Sequence, residues 1–348
     1  MNLFKHSAAE KNIVVSLCRR MERHSASLRY KVPERIVAAV AAMAPVVVRC
    51  IWGLGDTLGW LHRLLHGHPV SRVYNGNRTP EVSVVIVNWN GRRMLGPCLQ
   101  ALEKSLLQLP GTHEVIFVDN ASTDTSVEYV RSAFPAVRVI VLPRNTGFSI
   151  ANNAGVRVAT RDFIMLLNND MLLPEDFFKG ILRHFQDPAV WAVAPRVVLP
   201  DGQMAEGHSW SEFGDGLLYF HNERQPGRQQ LITSPTLTLY PMGGCTIMDR
   251  RRYRELGWLD EMFSPFCWED DDIGYRSLKR GYKVIYDPTI TALHENSATM
   301  ANGVFSPLYI RSIKEKNQAL FFWRNLTDAS FCREYLAAMP QRIAGAVK

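Results

Sequence analysis

The apolar run Phe163-Ile164-Met165-Leu166-Leu167 is followed at once by Asn168-Asn169-Asp170, and this junction constrains the fold more than any other segment. Five consecutive apolar residues fit a strand buried on both faces of a parallel sheet. A carboxylate at the carboxyl end of such a strand faces the crevice where open α/β sheets bind ligands, which makes Asp170 a candidate metal or phosphate-site residue. Asn and Asp are also common in turns that follow strands. The segment alone leaves both readings open.

Upstream segments repeat the pattern. Val82 to Val87 ends in Asn88-Trp89-Asn90-Gly91 and precedes an amphipathic stretch from Met94 to Leu107. Glu114 to Asp119 ends in Asn120-Ala121-Ser122-Thr123-Asp124, with hydroxyl and carboxylate capping candidates for a helix opening near Thr125. Val137 to Val141 reads as a further strand, and Arg144-Asn145-Thr146-Gly147-Phe148 leads into a helix through Val158. Strands alternating with helices imply right-handed crossovers and a largely parallel sheet, so the polar strand ends gather along one edge.

Five segments in this order resemble the successive signatures of family 2 glycosyltransferases: Val82–Asn90, Val118–Asp124, Asn145–Phe148, Leu166–Asp170 and Trp268-Glu269-Asp270-Asp271-Asp272. The resemblance spans about residues 80 to 326 and is closest to the bacterial rhamnosyltransferase-like branch that builds surface polysaccharides. It implies an α/β GT-A fold with a mostly parallel central sheet flanked by helices. It further implies a nucleotide-diphosphate sugar donor, dTDP-rhamnose being one candidate, a divalent cation (Mg2+ or Mn2+) and inversion at the anomeric carbon.

Sugar transfer from a diphosphate leaves two phosphates' worth of charge to depart, and a divalent cation neutralises it as a Lewis acid. Such cations take oxygen ligands and keep waters, so one or two protein ligands suffice beside the diphosphate. Asp170 can be one. By resemblance, His294 in Ala292-Leu293-His294-Glu295 matches a late metal-ligating histidine. The same resemblance places Asp119 against the nucleotide base, puts Arg144 and Asn145 close to the donor, and assigns Asn88, Asn168 and Gly244 to the nucleotide-sugar site. The family's metal triplet has carboxylates at both ends, whereas Asn168 here supplies an amide. An amide can hydrogen-bond ribose but brings no charge.

The acidic run Glu269 to Asp272 opens a helical stretch to Arg280. Acids in a first helical turn complement the helix dipole, and that explains one or two of them. Four together beside aromatics should raise one another's pKa values at a cost in stability. The acceptor hydroxyl must lose a proton as it attacks, and a positioned Asp can accept it. Asp270 matches the family's base. Glu269 and Asp272 are then acceptor-binding or supporting residues, and Asp271 is expected to face solvent.

The polar stretch from Gln203 to Ser234 contains Trp210, Phe213, Tyr219 and Phe220, suited either to stacking on sugars or to a surface insertion. Gly243 to Met248 reads as a return strand whose glycines permit close backbone approach. Beyond Leu308 the chain reads as two short helices.

Residues 1–75 hold 11 Lys or Arg against 4 Asp or Glu, which accounts for the whole formal charge of +7. The remainder is nearly neutral, which argues against a nucleic-acid-binding core and for a basic arm on an anionic membrane surface. Ile36 to Val48 is apolar but too short to span a bilayer. Cys50 to Leu65, with Trp52 and Trp60, suits an interfacial helix or one packed on the catalytic domain. Its position argues against a signal peptide. Six scattered cysteines lack paired metal spacing and fit a reducing cytosol. His62, His66 and His68 read as linker residues.

The expected organisation is a basic, partly apolar helical region over 1–78, a catalytic domain over 79–305 and a helical extension over 306–348. The expected function is an inverting, metal-dependent transferase at the inner face of a bacterial membrane, extending a lipid-linked or polysaccharide acceptor. A nucleotide-sugar-binding scaffold without turnover is the alternative that Asn168 keeps open.

Overall fold

The computed structural model describes residues 80–214, 216–223, 232–295, 305–325 and 329–346. The expected basic arm, with its Ile36–Val48 run, lies outside the described residues. The first half alternates as the sequence pattern requires: β1 (Val82–Asn88), α1 (Arg92–Leu107), β2 (Glu114–Asp119), α2 (Ser126–Ala133), β3 (Arg138–Val141), α3 (Phe148–Val158) and β4 (Phe163–Asn168). There follow β5 (Met171–Leu172), α4 (Phe177–Ile181), β6 (Val190–Val198), β7 (Met204–Glu206), β8 (Ser209–Gly214), β9 (Leu217–Asn222), β10 (Thr236–Thr238), β11 (Cys245–Asp249) and α5 (Arg250–Glu255). The chain continues as α6 (Glu269–Lys279), β12 (Lys283–His294), α7 (Pro307–Asn325) and α8 (Ala329–Ala346).

The main sheet runs β10-β12-β6-β11-β4-β1-β2-β3. Strands β3, β2, β1 and β4 are mutually parallel, so their polar carboxyl ends share one edge. Strand β11 enters antiparallel between β4 and β6, and β12 runs parallel to β6. The short β5 pairs with the far end of β12, setting His294 opposite Met171.

Alternation along the strands sends side chains to opposite faces. Val82, Val84 and Ile86 pack with Leu95, Leu99 and Leu102 of α1 and with Phe177 and Phe178 of α4. Val85, Ile116, Val118, Ile164 and Leu166 face the other way, toward Ala151 and Val156 of α3 and Tyr253 of α5. Every one of these residues is buried, which is why the strands read as continuous apolar runs.

Asp124 does the capping expected near Thr125. Its two carboxylate oxygens accept from the Ser126 and Arg92 amides, at 3.0 and 3.1 Å, and so serve the first turns of two helices. The Thr125 side chain makes no cap hydrogen bond.

A third apolar cluster joins the β8–β9 hairpin to the C-terminal helices. Phe220 meets Trp268 and Phe321 edge-on, and Phe213 stacks on Phe331 at 4.1 Å. Phe213 and Phe220 therefore serve packing. The two final helices, expected to be short, run 19 and 18 residues. Their aromatic faces have this hairpin to cover, and burial rather than intrinsic propensity sustains helices of that length.

Candidate active site

The carboxyl ends of β1, β2 and β4 build a connected polar floor. Asn88 Nδ2 donates to Asp119 Oδ1 at 3.3 Å and to Ser122 Oγ at 3.1 Å, while its Oδ1 accepts from Asn169 Nδ2 at 2.6 Å. Asp119 Oδ2 accepts from the Ser122 amide at 2.8 Å, so both of its oxygens are engaged. Asn145 Oδ1 accepts from Asn120 Nδ2 and from the Gly147 amide, each at 3.0 Å. Arg144 is exposed beside it.

The turn into α3 is tied to the loop ahead of α6. Gly147 has φ +83°, a conformation costly for any other residue, and a Cβ there would stand 2.6 Å from the Pro265 carbonyl oxygen. The Phe148 amide donates to that same oxygen at 2.8 Å.

Asp170 and His294, separated by 124 positions of sequence, meet where β5 pairs with β12. His294 Nε2 lies 3.1 Å from Asp170 Oδ2, and the Glu295 amide donates to the Asp170 carbonyl at 2.9 Å. Asp170 is 7% exposed, and its Oδ1 is buried without a hydrogen-bond partner among the described residues. One unpaired carboxylate oxygen beside an imidazole nitrogen fits Mn2+ or Mg2+. No group of three or more potential protein ligands occurs among the described residues, so substrate oxygens and water would complete the shell.

A cavity of about 540 Å³ extends from His294, Asn168 and Gly244 to Trp268, Glu269, Asp270 and Asp271. Asp270 Oδ2 accepts from the Gly243 amide at 2.7 Å. A Cβ on Gly243 would meet Asp270 Oδ1 at 2.8 Å, and one on Gly244 would meet Asn168 Nδ2 at the same distance. The glycine pair therefore lets the chain pass between the strand-end amide and the acidic helix. The sequence marks both glycines of this pair for close backbone approach, and the structure adds the Gly243 amide as the partner of Asp270.

Burial pushes the Asp270 carboxyl up to about 7, against the pull of the Gly243 hydrogen bond. Burial, reinforced by the charge of Asp270, raises Asp271 to about 8. The same causes hold Glu269 well above the usual carboxylate range. Asp271 was expected to face solvent. It lines the cavity instead with Glu269 and Asp270, just after the turn that leads into α6. That turn places Cys267 and Trp268 at φ +69° and +79°, sparsely populated values for residues with side chains.

Asp272 is fully buried and is not among the residues lining the cavity. Its Oδ2 accepts from Arg276 Nε at 2.7 Å, and its Oδ1 accepts from Asn325 Nδ2 at 2.6 Å. It anchors α6 to α7. Asn317 Nδ2 lies 2.6, 3.0 and 2.8 Å from the carbonyl oxygens of Phe263, Phe266 and Cys267, which share its two N–H groups. Neither asparagine stands in a motif that would have marked it.

A family model described as Glycosyl transferase family 2 matches residues 83–257. The Pre-mycofactocin glycosyltransferase of Mycobacterium tuberculosis (strain ATCC 25618 / H37Rv) is 24% identical over 204 residues, which make up 58% of this chain and 42% of that protein. The chain thus spans about two fifths of that relative's length. The Succinoglycan biosynthesis protein ExoO of Rhizobium meliloti (strain 1021) is 34% identical over 107 residues, 30% of each chain. Among solved structures, GalNAc-T7 with UDP, GalNAc and Mn2+ superposes with a TM-score of 0.55 at 16% identity, covering 75% of this chain and 52% of that one. That likeness is one of GT-A fold.

Proposed function

The chain belongs to glycosyl transferase family 2, and from that premise we propose that it is an inverting enzyme moving a hexose from a nucleotide-diphosphate donor to an acceptor hydroxyl. The observation that carries the reading is one cavity lined by both His294, the partner of Asp170, and Asp270, held by the Gly243 amide. In this reading Asn88, Asp119, Arg144 and Asn145 border the nucleotide, and Asn168 and Gly244 border the donor sugar. Asp170 and His294 would hold a divalent cation, which would supply Lewis-acid neutralisation of the diphosphate's charge.

The remaining chemistry falls to the chain's own groups. Deprotonated Asp270 takes the acceptor proton as the new C–O bond forms, and the Gly243 amide fixes which carboxylate oxygen faces the acceptor. A base that activates the acceptor directly supports single displacement, hence inversion. Trp268 and Phe266 contribute apolar surface to the same cavity. Dependence on Mg2+ or Mn2+, a rhamnosyl-type donor, a lipid-linked or polysaccharide acceptor, and attachment to an inner membrane surface through residues 1–78 complete the proposal. The likeness to a succinoglycan biosynthesis protein favours work on polysaccharide. No described helix is long and apolar enough to cross a membrane.

The test is incubation of the full chain with UDP-, GDP- and dTDP-sugars and Mn2+ or Mg2+, reading nucleoside diphosphate release and protection against melting. Release with at least one donor, abolished by chelation, is expected. Absence of both release and protection across the panel would overturn the reading.

A further inference from the structure

The charge lining the cavity is uneven. Glu206 at the end of β7 joins Glu269, Asp270 and Asp271, whereas Lys314 is the only lysine or arginine among the lining residues described. Beyond the effect of burial, the negative charge of Glu206 disfavours ionisation of Asp270, Asp271 and Tyr240, so these groups share one electrostatic neighbourhood. Glu269 is 6% exposed, lines this same end, and has its Oε2 buried without a hydrogen-bond partner among the described residues. A buried acceptor atom left that way is costly until a donor reaches it. Phe220, Tyr240 and Trp268 line the cavity beside these acids.

Two nucleophile classes suit a sugar transferase, a saccharide hydroxyl and the phosphate oxygen of a lipid. A phosphate monoester carries nearly two negative charges near neutral pH and needs cationic partners, yet this end of the cavity offers it one lysine among four carboxyl groups. Its attacking oxygen also carries no proton that must be removed. A carboxylate aligned by the Gly243 amide would then have no task. A hydroxyl both donates and accepts, so it can pair with a carboxyl group in either protonation state. Aromatic faces with a few convergent polar groups are the usual furniture of such small-molecule sites.

We propose that the acceptor is an uncharged, hydroxyl-bearing saccharide seated against Glu206, Glu269 and the Trp268–Tyr240 wall, and that this end of the cavity rejects a phosphorylated lipid headgroup as nucleophile. The inference rests on the transferase reading above. In the step, the acceptor oxygen forms a bond to the anomeric carbon and the bond from that carbon to the diphosphate breaks. The electron pair leaves with the nucleoside diphosphate and the acceptor proton passes to Asp270. Glu206 and Glu269 orient the other hydroxyls.

The full chain, saturated with the nucleoside diphosphate that protects it from melting and with Mn2+, is titrated with a panel of neutral n-octyl hexopyranosides and with farnesyl phosphate. Tryptophan emission, sensitive to Trp268, reports binding. At least one glycoside should bind 10-fold or more tightly than farnesyl phosphate. Glu206→Gln should weaken that glycoside by about 10-fold to 100-fold, the range of a hydrogen bond to a charged group. It should leave nucleoside diphosphate affinity within about twofold, the scatter of a site it does not touch. Glu206→Lys should narrow or reverse the preference against farnesyl phosphate. Farnesyl phosphate binding as well as any glycoside, or nucleoside diphosphate binding with no glycoside response, overturns the proposal and leaves the transferase reading standing. Failure of every nucleoside diphosphate to bind overturns both.

Discussion

The Gly243 amide nitrogen stands 2.7 Å from Asp270 Oδ2, across 27 positions of chain. A backbone donor aligns a carboxylate without a rotamer of its own to lose, so the acid is held in place while its second oxygen remains available to a substrate proton. This pairing fixes what the first variant should show.

Asp270→Asn keeps the side-chain shape and loses the base. Turnover should fall by about two to four decades, the usual contribution of a general base, with donor affinity nearly unchanged. With Asp270 raised to about 7, the wild-type rate should climb with pH toward about 7 and then level. Near-normal turnover in Asp270→Asn would sink the assignment.

For the metal pair, Asp170→Asn and His294→Ala should each reduce the stabilisation that Mn2+ adds in the presence of a nucleoside diphosphate. Melting curves with and without chelator measure it. If both variants gain as much from Mn2+ as the wild type, the ion sits elsewhere.

Asn317→Ala removes one side chain from three carbonyls, those of Phe263, Phe266 and Cys267. Loss of the bonds should cost about 1–3 kcal/mol in urea denaturation. Because the loop they hold leads directly into α6, kcat should also drop while the donor KM holds. Unchanged kcat at a temperature where the variant is fully folded would reduce Asn317 to a purely stabilising residue.

Asp271 supplies a prediction about stability and pH. Its carboxyl is raised by burial and by Asp270 from an ordinary 3.8 to about 8. The folded state thus holds a proton that the unfolded chain releases above about pH 4. Its stabilising contribution is complete below that point and disappears as pH rises through about 8. Asp271→Asn should flatten the fall in melting temperature between pH 5 and 8. An identical slope in variant and wild type would show that other groups set it.

Removing residues 1–75 should release the protein from anionic vesicles while activity on a soluble acceptor analogue persists, because every proposed catalytic residue lies beyond Pro80. Salt should weaken wild-type binding only in part, since inserted apolar area is not screened. Flotation unaffected by the deletion would place any membrane contact elsewhere.

The parallel half of the sheet was legible because strands buried on both faces must be apolar throughout, as Val82–Val87 and Phe163–Leu167 are. The proximity of Asp170 and His294 followed only from family resemblance, since their pairing through β5 and β12 has no local signature. Glu206, Asn317 and Asn325 were illegible for a related reason: a lone polar residue inside a helix or at a strand end looks like surface until its partner, tens of positions away, is known. The aromatics between Gln203 and Ser234 could equally have met sugars or other side chains. Phe213 and Phe220 pack with aromatic residues of the C-terminal helices, and Phe220 also lines the cavity.

The clamp that α7 places on the acidic helix has a consequence for anyone who recombines such enzymes. Asn317 grips the approach to α6 and Asn325 grips Asp272 within it, so the acidic helix and the helix near the end of the chain behave as one inherited part. A chimaera spliced between residues 295 and 307 would mate the catalytic acids of one parent to the clamp of another. A crossover placed after Asn325 keeps the pair together, and libraries cut there should retain more active members than libraries cut at the earlier seam.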